Sequence, residues 1–352
     1  MPHRFYKVPF VSLKEEVALK FFTSLHHKDC SQSFNGGTHG NELSGVYLVK
    51  NWLRNGAIEI KRNSFRTHAV LANPRAVERC VRFIDVDLNR QIKPENLLSS
   101  VKKEEEGCPY EIQRARELYS QFQNEAGRKV IDFWLDLHNA TANTGSFFIM
   151  SSSMDPFPLH VAAQMQIEFP ELRIMLLKEG NFEGHHFGGG QHENSKCASE
   201  FPTQGVRDLG VEGMGLEMGP LAHGTLNTAI YNLAKKIVCC VLDQVDKFNN
   251  GHEFEEKEIE VFRSLGNIYF PTDAEGELSA MVSPNVEGND WKPLYPGDPL
   301  FLSFSGETIP FTGESVVWPV FINEAAYFPN NIAMTITTKE KITVPTLKLK
   351  AN

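Results

Sequence analysis

Short apolar runs alternate with segments of helical period along the first 250 residues, and this alternation restricts the fold more than any other feature of the chain. Five runs have the length and composition of buried strands: 69–72, 130–137, 146–150, 172–177 and 214–218. Apolar residues at helical spacing predict helices over 42–53, 158–169 and 225–248. The alternation indicates an α/β fold with a largely parallel sheet, whose ligands gather at the carboxyl ends of the strands.

The sequence changes character after Asn249-Asn250-Gly251, which ends the last predicted helix. Beyond it, short runs rich in β-forming residues are separated by turns of Pro, Gly, Asp and Asn. We therefore predict a catalytic α/β domain over 1–251 and a smaller all-β domain over 252–352. The Gly- and His-rich stretch 178–206 lacks periodicity and is a candidate mobile lid.

Composition restricts the class of partner and the compartment. The formal charge of −9 argues against nucleic acid, because phosphate binding requires a basic face. The six cysteines are scattered without metal-binding spacing, as is typical of reduced thiols in a cytoplasmic protein. No apolar run reaches the roughly 18 residues that a transmembrane segment requires. Composition leaves the oligomeric state open, a homo-oligomer included.

Two separated motifs predict a metal site. His39 and Glu42 have the form His-x-x-Glu in a Gly- and Asn-rich turn, and His138 follows a buried strand. Two imidazoles and a carboxylate give zinc three ligands and leave the fourth position open, as in catalytic sites. Taken singly, a His-x-x-Glu pair is more often a surface or capping pair, and a strand-end histidine is more often structural. Either Asp136, two residues before His138, or a backbone carbonyl is suited to orient that imidazole.

Other charged residues lie near these motifs or at strand ends. Glu217 is a carboxylate within an apolar strand, where desolvation raises a pKa toward the range of a general base; a structural salt bridge is the alternative. Arg75, Arg90 and Arg207 are cationic candidates for an anionic substrate, although each alone is more often a surface charge. The hydroxyl of Tyr327 either donates to substrate or caps the β domain.

Seven motifs in a fixed order resemble the aspartoacylase/aminoacylase-3 family, whose catalytic core is similar to that of the zinc carboxypeptidases. The motifs are GGTHGNE (36–42), NPRA (73–76), DLNR (87–90), DLHN (136–139), GLEMGP (215–220), DWKPLYPGDP (290–299) and PVFINEAAY (319–327). The resemblance runs from about residue 35 to about residue 344. It implies a mixed sheet flanked by helices, with a smaller C-terminal all-β domain.

The resemblance also implies a residue set and a reaction. His39, Glu42 and His138 would bind one Zn²⁺ per chain, Glu217 would activate water, and Arg75 would stabilise the oxyanion. The substrate's amino-acid portion would contact three further residues: Asn89, Arg90 and Tyr327. The implied reaction is hydrolysis of an N-acyl amino acid to a carboxylate and the free amino acid.

The substrate class has more than one interpretation. The C-terminal segment is more similar to aminoacylase-3, which implies N-acetylated aromatic amino acids and mercapturates, whereas Arg207 lies where aspartoacylases bind the side chain of N-acetyl-L-aspartate. Residues 1–34 are unlike the family, and 31–35 are polar where an apolar strand is usual. This departure keeps open a non-catalytic pseudoenzyme that binds a partner protein. A carboxypeptidase-like peptidase is a further alternative.

Overall fold

A nine-stranded mixed sheet runs through the protein, seen in a computed structural model that describes residues 31–97, 107–121, 132–151, 156–177 and 212–349. Its strands in chain order are β1 (Ser31–Gly36), β2 (Arg66–Leu71), β3 (Phe133–Asn139), β4 (Ser146–Ser151), β5 (Arg173–Leu177), β6 (Glu212–Met218), β7 (Lys257–Tyr269), β11 (Trp318–Val320) and β12 (Ile332–Val344). A separate antiparallel sheet contains β8 (Ala280–Val282), β9 (Pro299–Ser303) and β10 (Thr308–Pro310).

The helices of the described residues are α1 (Leu43–Arg54), α2 (Pro74–Arg79), α3 (Pro94–Leu97), α4 (Tyr110–Gln121), α5 (Pro156–Glu168) and α6 (Thr228–Asn249). The main core lies where α1, α5 and α6 meet the sheet, and it includes Trp52, Phe133 and Phe248. None of the helices in the described ranges combines the length and apolar character that a membrane span requires. The cysteines in those ranges are free thiols: Cys80, Cys108, Cys239 and Cys240.

The strand order is β11-β12-β7-β5-β4-β6-β3-β1-β2. Strands β2, β1, β3 and β6 are mutually parallel, so their carboxyl ends reach the same edge of the sheet. Strand β4 runs antiparallel to β6, which makes the sheet mixed. The predicted mixed α/β sheet with flanking helices and a β-rich C-terminal part is confirmed.

Two local features were not predicted from the sequence. Pro74 begins helix α2, and the Asn73 side chain accepts a hydrogen bond from the Ala76 amide (3.3 Å) at its start. The polar residues 31–35 belong to strand β1, with Gln32, Ser33 and Asn35 all fully buried between β2 and β3. Sheet pairing on both sides of β1 supplies the backbone hydrogen bonds that the side-chain pattern did not predict.

The sheet does not end with the first 251 residues. The 13-residue strands β7 and β12 pair along their length, and β7 also pairs with β5. The division at residue 251 stays a prediction, and the candidate lid at 178–206 lies outside the described residues.

Candidate metal and active site

The GGTHGNE motif connects the end of β1 to the start of α1. Gly37 adopts a positive φ of 74°, which a residue with a side chain adopts only under strain. A Cβ atom on Gly40 would collide with the backbone of Ala76, so α2 packs directly against this turn. The result is a turn that leaves His39 and Glu42 buried, each 3% exposed, at the carboxyl edge of the sheet.

Three predicted ligands converge on one point. The Nδ1 atom of His39 lies 2.6 Å from Oε1 of Glu42, and Nδ1 of His138, at the end of β3, lies 2.9 Å from Oε2 of the same carboxylate. One donor atom from each residue lies within 4.8 Å of the others. His39, Glu42 and His138 therefore form a buried group that could hold a metal ion.

A second carboxylate orients each imidazole. The Nε2 atom of His39 is 3.1 Å from Oδ1 of Asp87, and Nε2 of His138 is 3.1 Å from Oδ2 of Asp136. The hydroxyl of Thr38 donates to both oxygens of Asp136 (2.9 and 3.0 Å). A carboxylate that accepts from Nε2–H leaves the lone pair on Nδ1, which is the arrangement found around metal-binding histidines.

The charges of this group are strongly coupled. Burial alone would raise the pKa of Glu42, but His39 and His138 hold that pKa well below its usual range. Burial likewise opposes ionisation of His138, and Asp136 and Glu42 raise the pKa of His138 well above its ordinary value. The pocket thus carries concentrated negative charge from carboxylates, which favours a cation between the three ligands.

Glu217 lies beside the metal-binding group. It is opposite His138 in the register of β3 and β6, and it is 7% exposed. Burial raises the pKa of Glu217 to about 8, an effect that His138 opposes and Glu42 reinforces. A bound dication would lower this pKa again.

A cavity with about 310 Å³ of empty volume opens over these residues. It brings together the candidate ligands His39 and Glu42 with Glu217 and with four other predicted or neighbouring residues: Asn89, Arg90, Tyr327 and Phe321. Burial, reinforced by Glu217, raises the pKa of Tyr327, so its hydroxyl stays protonated.

The structure does not bring Arg75 to the cavity. Its side chain is exposed on α2 and its guanidinium lies over the ring of Tyr110, with 4.4 Å from Cζ to the ring centroid, and it does not line the cavity. Arg82 provides a cation at the cavity instead. It bonds to Oδ2 of Asp87 (3.0 Å) and Oε1 of Glu42 (3.3 Å). Burial opposes the charge of Arg82, but Asp87 and Glu42 raise its pKa, so it remains a cation.

Sequence reasoning also missed other residues of the site. Asn139 lines the cavity, and its backbone N–H donates a hydrogen bond to Oε2 of Glu42 (3.0 Å). Glu324 is 2% exposed and accepts from the amides of Thr141 (2.8 Å) and Ala142 (2.9 Å). Asp87, Asn139 and Glu324 stand within the DLNR, DLHN and PVFINEAAY motifs, which was the available signal. Arg207 lies outside the described residues.

Comparison with known proteins identifies the family. Residues 33–245 match the succinylglutamate desuccinylase/aspartoacylase catalytic domain, and residues 257–339 match the AstE/AspA barrel-sandwich hybrid domain. The N-acyl-aromatic-L-amino acid amidohydrolase (carboxylate-forming) of Homo sapiens is 39% identical over 314 residues, covering 89% of this chain and 91% of that protein. The aspartoacylase of Danio rerio is 39% identical over 306 residues, covering 87% and 90%.

A solved structure agrees over nearly the whole fold. The crystal structure of murine aminoacylase 3 is similar with a TM-score of 0.78 at 36% identity, covering 92% of this chain and 99% of that one. The order of motifs, the two matching domain models and the identity over most of both chains lead to one conclusion. The chain belongs to the succinylglutamate desuccinylase/aspartoacylase family.

Proposed function

We propose that this protein is a zinc-dependent amidohydrolase that cleaves the amide bond of small N-acyl-L-amino acids to give a carboxylate and the free amino acid. The observation that carries the proposal is the convergence of His39, Glu42 and His138 beside Glu217 in one small cavity. The names of the relatives, amidohydrolase and aspartoacylase, point to the same reaction class.

The donor set supports zinc as the ion. Two imidazoles and one carboxylate make up a three-ligand set that catalytic zinc sites use, and each imidazole has the carboxylate partner that fixes its tautomer. Zinc held by His39, Glu42 and His138 would make water a stronger nucleophile near neutral pH and would polarise a carbonyl group.

Glu217 is the proposed proton carrier. Its carboxylate accepts the proton of the attacking water and then donates it to the nitrogen of the leaving amine. Its position opposite His138 on the adjoining strand supports this role, because it keeps the carboxylate next to the metal ligands. Loss of a general acid–base group typically lowers a rate by about 10²–10⁴-fold.

Arg82 is the proposed partner of the oxyanion that develops on the acyl carbonyl, a role for which its guanidinium is held by Asp87. Asn89 and Arg90 follow it on the same segment, line the same cavity and suit the α-carboxylate of the substrate. Tyr327, which also lines the cavity, contributes a protonated hydroxyl. We retain Arg207 as a proposed contact for an acidic side chain, and this role rests on the sequence alone.

N-acylated aromatic amino acids and mercapturates are the proposed substrates, and N-acetyl-L-aspartate is the alternative. The aromatic residues Phe321 and Tyr327 on the cavity wall support the first class. The test compares N-acetyl-tyrosine with N-acetyl-aspartate, with Arg207→Ala alongside. Faster turnover of the tyrosine substrate, unchanged by Arg207→Ala, is the expected result; turnover of N-acetyl-aspartate alone, lost in that variant, would identify an aspartoacylase.

The same preparation separates the other functional classes. A peptidase would cleave dipeptides and leave N-acetyl amino acids intact, and a pseudoenzyme would cleave neither. We expect one zinc per chain after gentle purification and loss of turnover in Glu217→Gln with zinc retained. Zinc-free protein, or full activity in Glu217→Gln, would refute the proposal.

Arg82 and Arg75 form a matched pair of arginines, one inside the cavity and one outside it. We expect Arg82→Lys to lower kcat by roughly 10²–10³-fold, the effect of losing one oxyanion donor, because lysine cannot reproduce the forked contact with Asp87. Arg75→Lys retains wild-type kcat. Equal effects of the two substitutions would remove Arg82 from the proposed mechanism.

A further inference from the structure

A fully buried carboxylate lies behind the cavity wall and has no role in the reaction described above. Glu111 is the second residue of α4 and is 0% exposed. Its Oε1 atom accepts from Ile84 N (2.7 Å) and Asn73 Nδ2 (3.1 Å), and its Oε2 atom accepts from Asp85 N (3.0 Å) and Val86 N (3.2 Å). A buried carboxylate is costly unless paired, and here four donors satisfy it.

The three backbone donors are consecutive and belong to a segment without regular structure. Residues 84–86 precede the 3₁₀ turn Leu88–Arg90, so their amides have no helical or strand partner. Without Glu111 these amides would lack the acceptors shown for them, and unpaired backbone donors away from water are strongly avoided. The carboxylate therefore determines the path of this segment.

The contact is reciprocal. Asp85 Oδ2 accepts from the amide of Tyr110 at the start of α4 (2.7 Å), while Glu111 on that helix accepts from the amide of Asp85. The guanidinium of Arg75 covers the Tyr110 ring, and Arg114 of α4 donates to Ala72 O (2.7 Å) at the end of β2. Helix α4 is thus fixed to the sheet on one side and to residues 84–86 on the other.

Residues on both sides of 84–86 meet the cavity. Arg82 precedes them, and Asn89 and Arg90 follow. Asp87, the next residue after Val86, bonds to His39. A shift of residues 84–86 would move the cationic and amide groups that are proposed to hold the substrate. A misplacement of about 1 Å at a reacting centre can lower a rate by about 10²-fold.

We infer that Glu111 is a positioning residue for substrate binding and turnover: its buried carboxylate holds the 82–90 segment in the position from which Arg82, Asn89 and Arg90 act. The inference rests on the proposed hydrolysis of N-acyl amino acids. Glu111 does not line the cavity, so its effect on turnover passes through the three backbone amides that donate hydrogen bonds to it.

The test uses Glu111→Gln in the zinc-loaded full chain. Glutamine has the same size, but in either orientation its amide group faces two N–H donors instead of accepting from them. We expect kcat/KM for the N-acyl amino acid turned over by the wild type to fall by about 10- to 100-fold, with one zinc per chain retained. Hydrogen exchange should accelerate at the amides of Ile84, Asp85 and Val86.

A matched control separates positioning from lost stability. Thr335→Val removes the buried hydroxyl that donates to Asn267 Oδ1 (2.8 Å) between β12 and β7, away from the cavity. Both variants are assayed at a temperature at which circular dichroism shows them folded. We expect Thr335→Val to lower the unfolding temperature and to leave kcat/KM unchanged; an equal loss of kcat/KM in both variants would overturn the inference.

A second variant tests the same inference if Glu111→Gln does not fold. Asp85→Ala removes the exposed reciprocal contact to Tyr110 N, and we expect a several-fold fall in kcat/KM in the same direction. Wild-type kcat/KM in the folded variants, with exchange at 84–86 accelerated, would refute the role of Glu111 while leaving the proposed function intact. Absence of hydrolysis in the wild type would instead refute the proposed function.

Discussion

Replacing Gln32 with methionine should stabilise the protein, because the side chain of Gln32 is a buried polar group without partners. Gln32 is 0% exposed in β1, and neither its Nε2 nor its Oε1 atom has a hydrogen-bond partner in the described part of the chain. It lies opposite Phe133 in the register of β1 and β3, on the face of the sheet that Phe34 shares. Both phenylalanines belong to the main hydrophobic core.

The magnitude follows from the cost of an unpaired buried group. A buried donor or acceptor left without a partner costs about 1–3 kcal/mol. Methionine has a similar unbranched length and removes both polar atoms while keeping the contacts with the core. We therefore expect the free energy of unfolding to rise by about 1–3 kcal/mol.

The assay is equilibrium unfolding in urea with zinc held at the same saturating concentration for all variants. The expected result is a higher midpoint with an unchanged m-value. Ser33→Ala is the matched control in the same strand, because the Ser33 hydroxyl donates to Asn35 Oδ1 (3.2 Å) and its removal should destabilise by about 1 kcal/mol. Equal or lower stability of Gln32→Met would show that the amide atoms have partners, such as a buried water, and would refute the reasoning.

Two further predictions concern the metal and the pH dependence of stability. Asp136→Asn should weaken zinc binding by about 10- to 100-fold, because His138 loses the carboxylate that orients it. Competition with a chromogenic chelator measures the zinc affinity, and the control Thr38→Ser, which keeps the hydroxyl donor to Asp136, should have wild-type affinity. Unchanged affinity in Asp136→Asn would contradict the prediction. Burial raises the pKa of Asp290 from 3.8 to about 6. The folded protein therefore holds this proton more tightly than the unfolded chain does. The resulting contribution to the free energy of unfolding, about 3 kcal/mol at most, is fully present below pH 4 and is lost as the pH rises through 6. In Asp290→Asn the free energy of unfolding should depend less on pH between pH 4 and 7 than it does in the wild type. The same pH dependence in variant and wild type would exclude the effect.

The fold was largely predictable because its central strands are apolar runs of strand length. Strands β3 to β6 were found to within three residues, since each packs in the interior and shows that in its composition. Strand β1 was not predictable from its own residues: Gln32, Ser33 and Asn35 are polar, and the pairing with β2 and β3 overrides their low tendency to form a buried strand. Tertiary pairing is not visible in a local pattern.

The site was predictable where its chemistry is carried by rare residue types in short motifs. The residues predicted in this way, His39, Glu42, His138 and Glu217, lie together in the structure. That Arg82 and not Arg75 lines the cavity was not predictable from the sequence. Arg75 and Arg82 are only seven residues apart, and they differ in the direction that α2 and the segment after it give to their side chains. Arg75 follows the helix to the surface, whereas Arg82 turns back to Asp87 and Glu42. Direction of this kind depends on packing and not on residue type.

Some residues of the site are positioned by the sheet and others by loop segments, so substitutions in the two groups should have separable effects on zinc affinity and on substrate affinity. The ligands His39, Glu42 and His138 stand at the carboxyl ends of adjoining parallel strands or in the turn that follows, so the sheet itself sets their spacing. Two loop segments, 82–90 and 321–327, supply most of the remaining wall, and each is held by one buried carboxylate that accepts hydrogen bonds from backbone amides. Glu111 accepts from 84–86, and Glu324, within 319–327, accepts from 141–142. Loosening either carboxylate should therefore change substrate affinity more than zinc affinity, because the three candidate ligands stand on the sheet or in its turns, and of their partners only Asp87, which orients His39, follows directly on the residues that Glu111 holds.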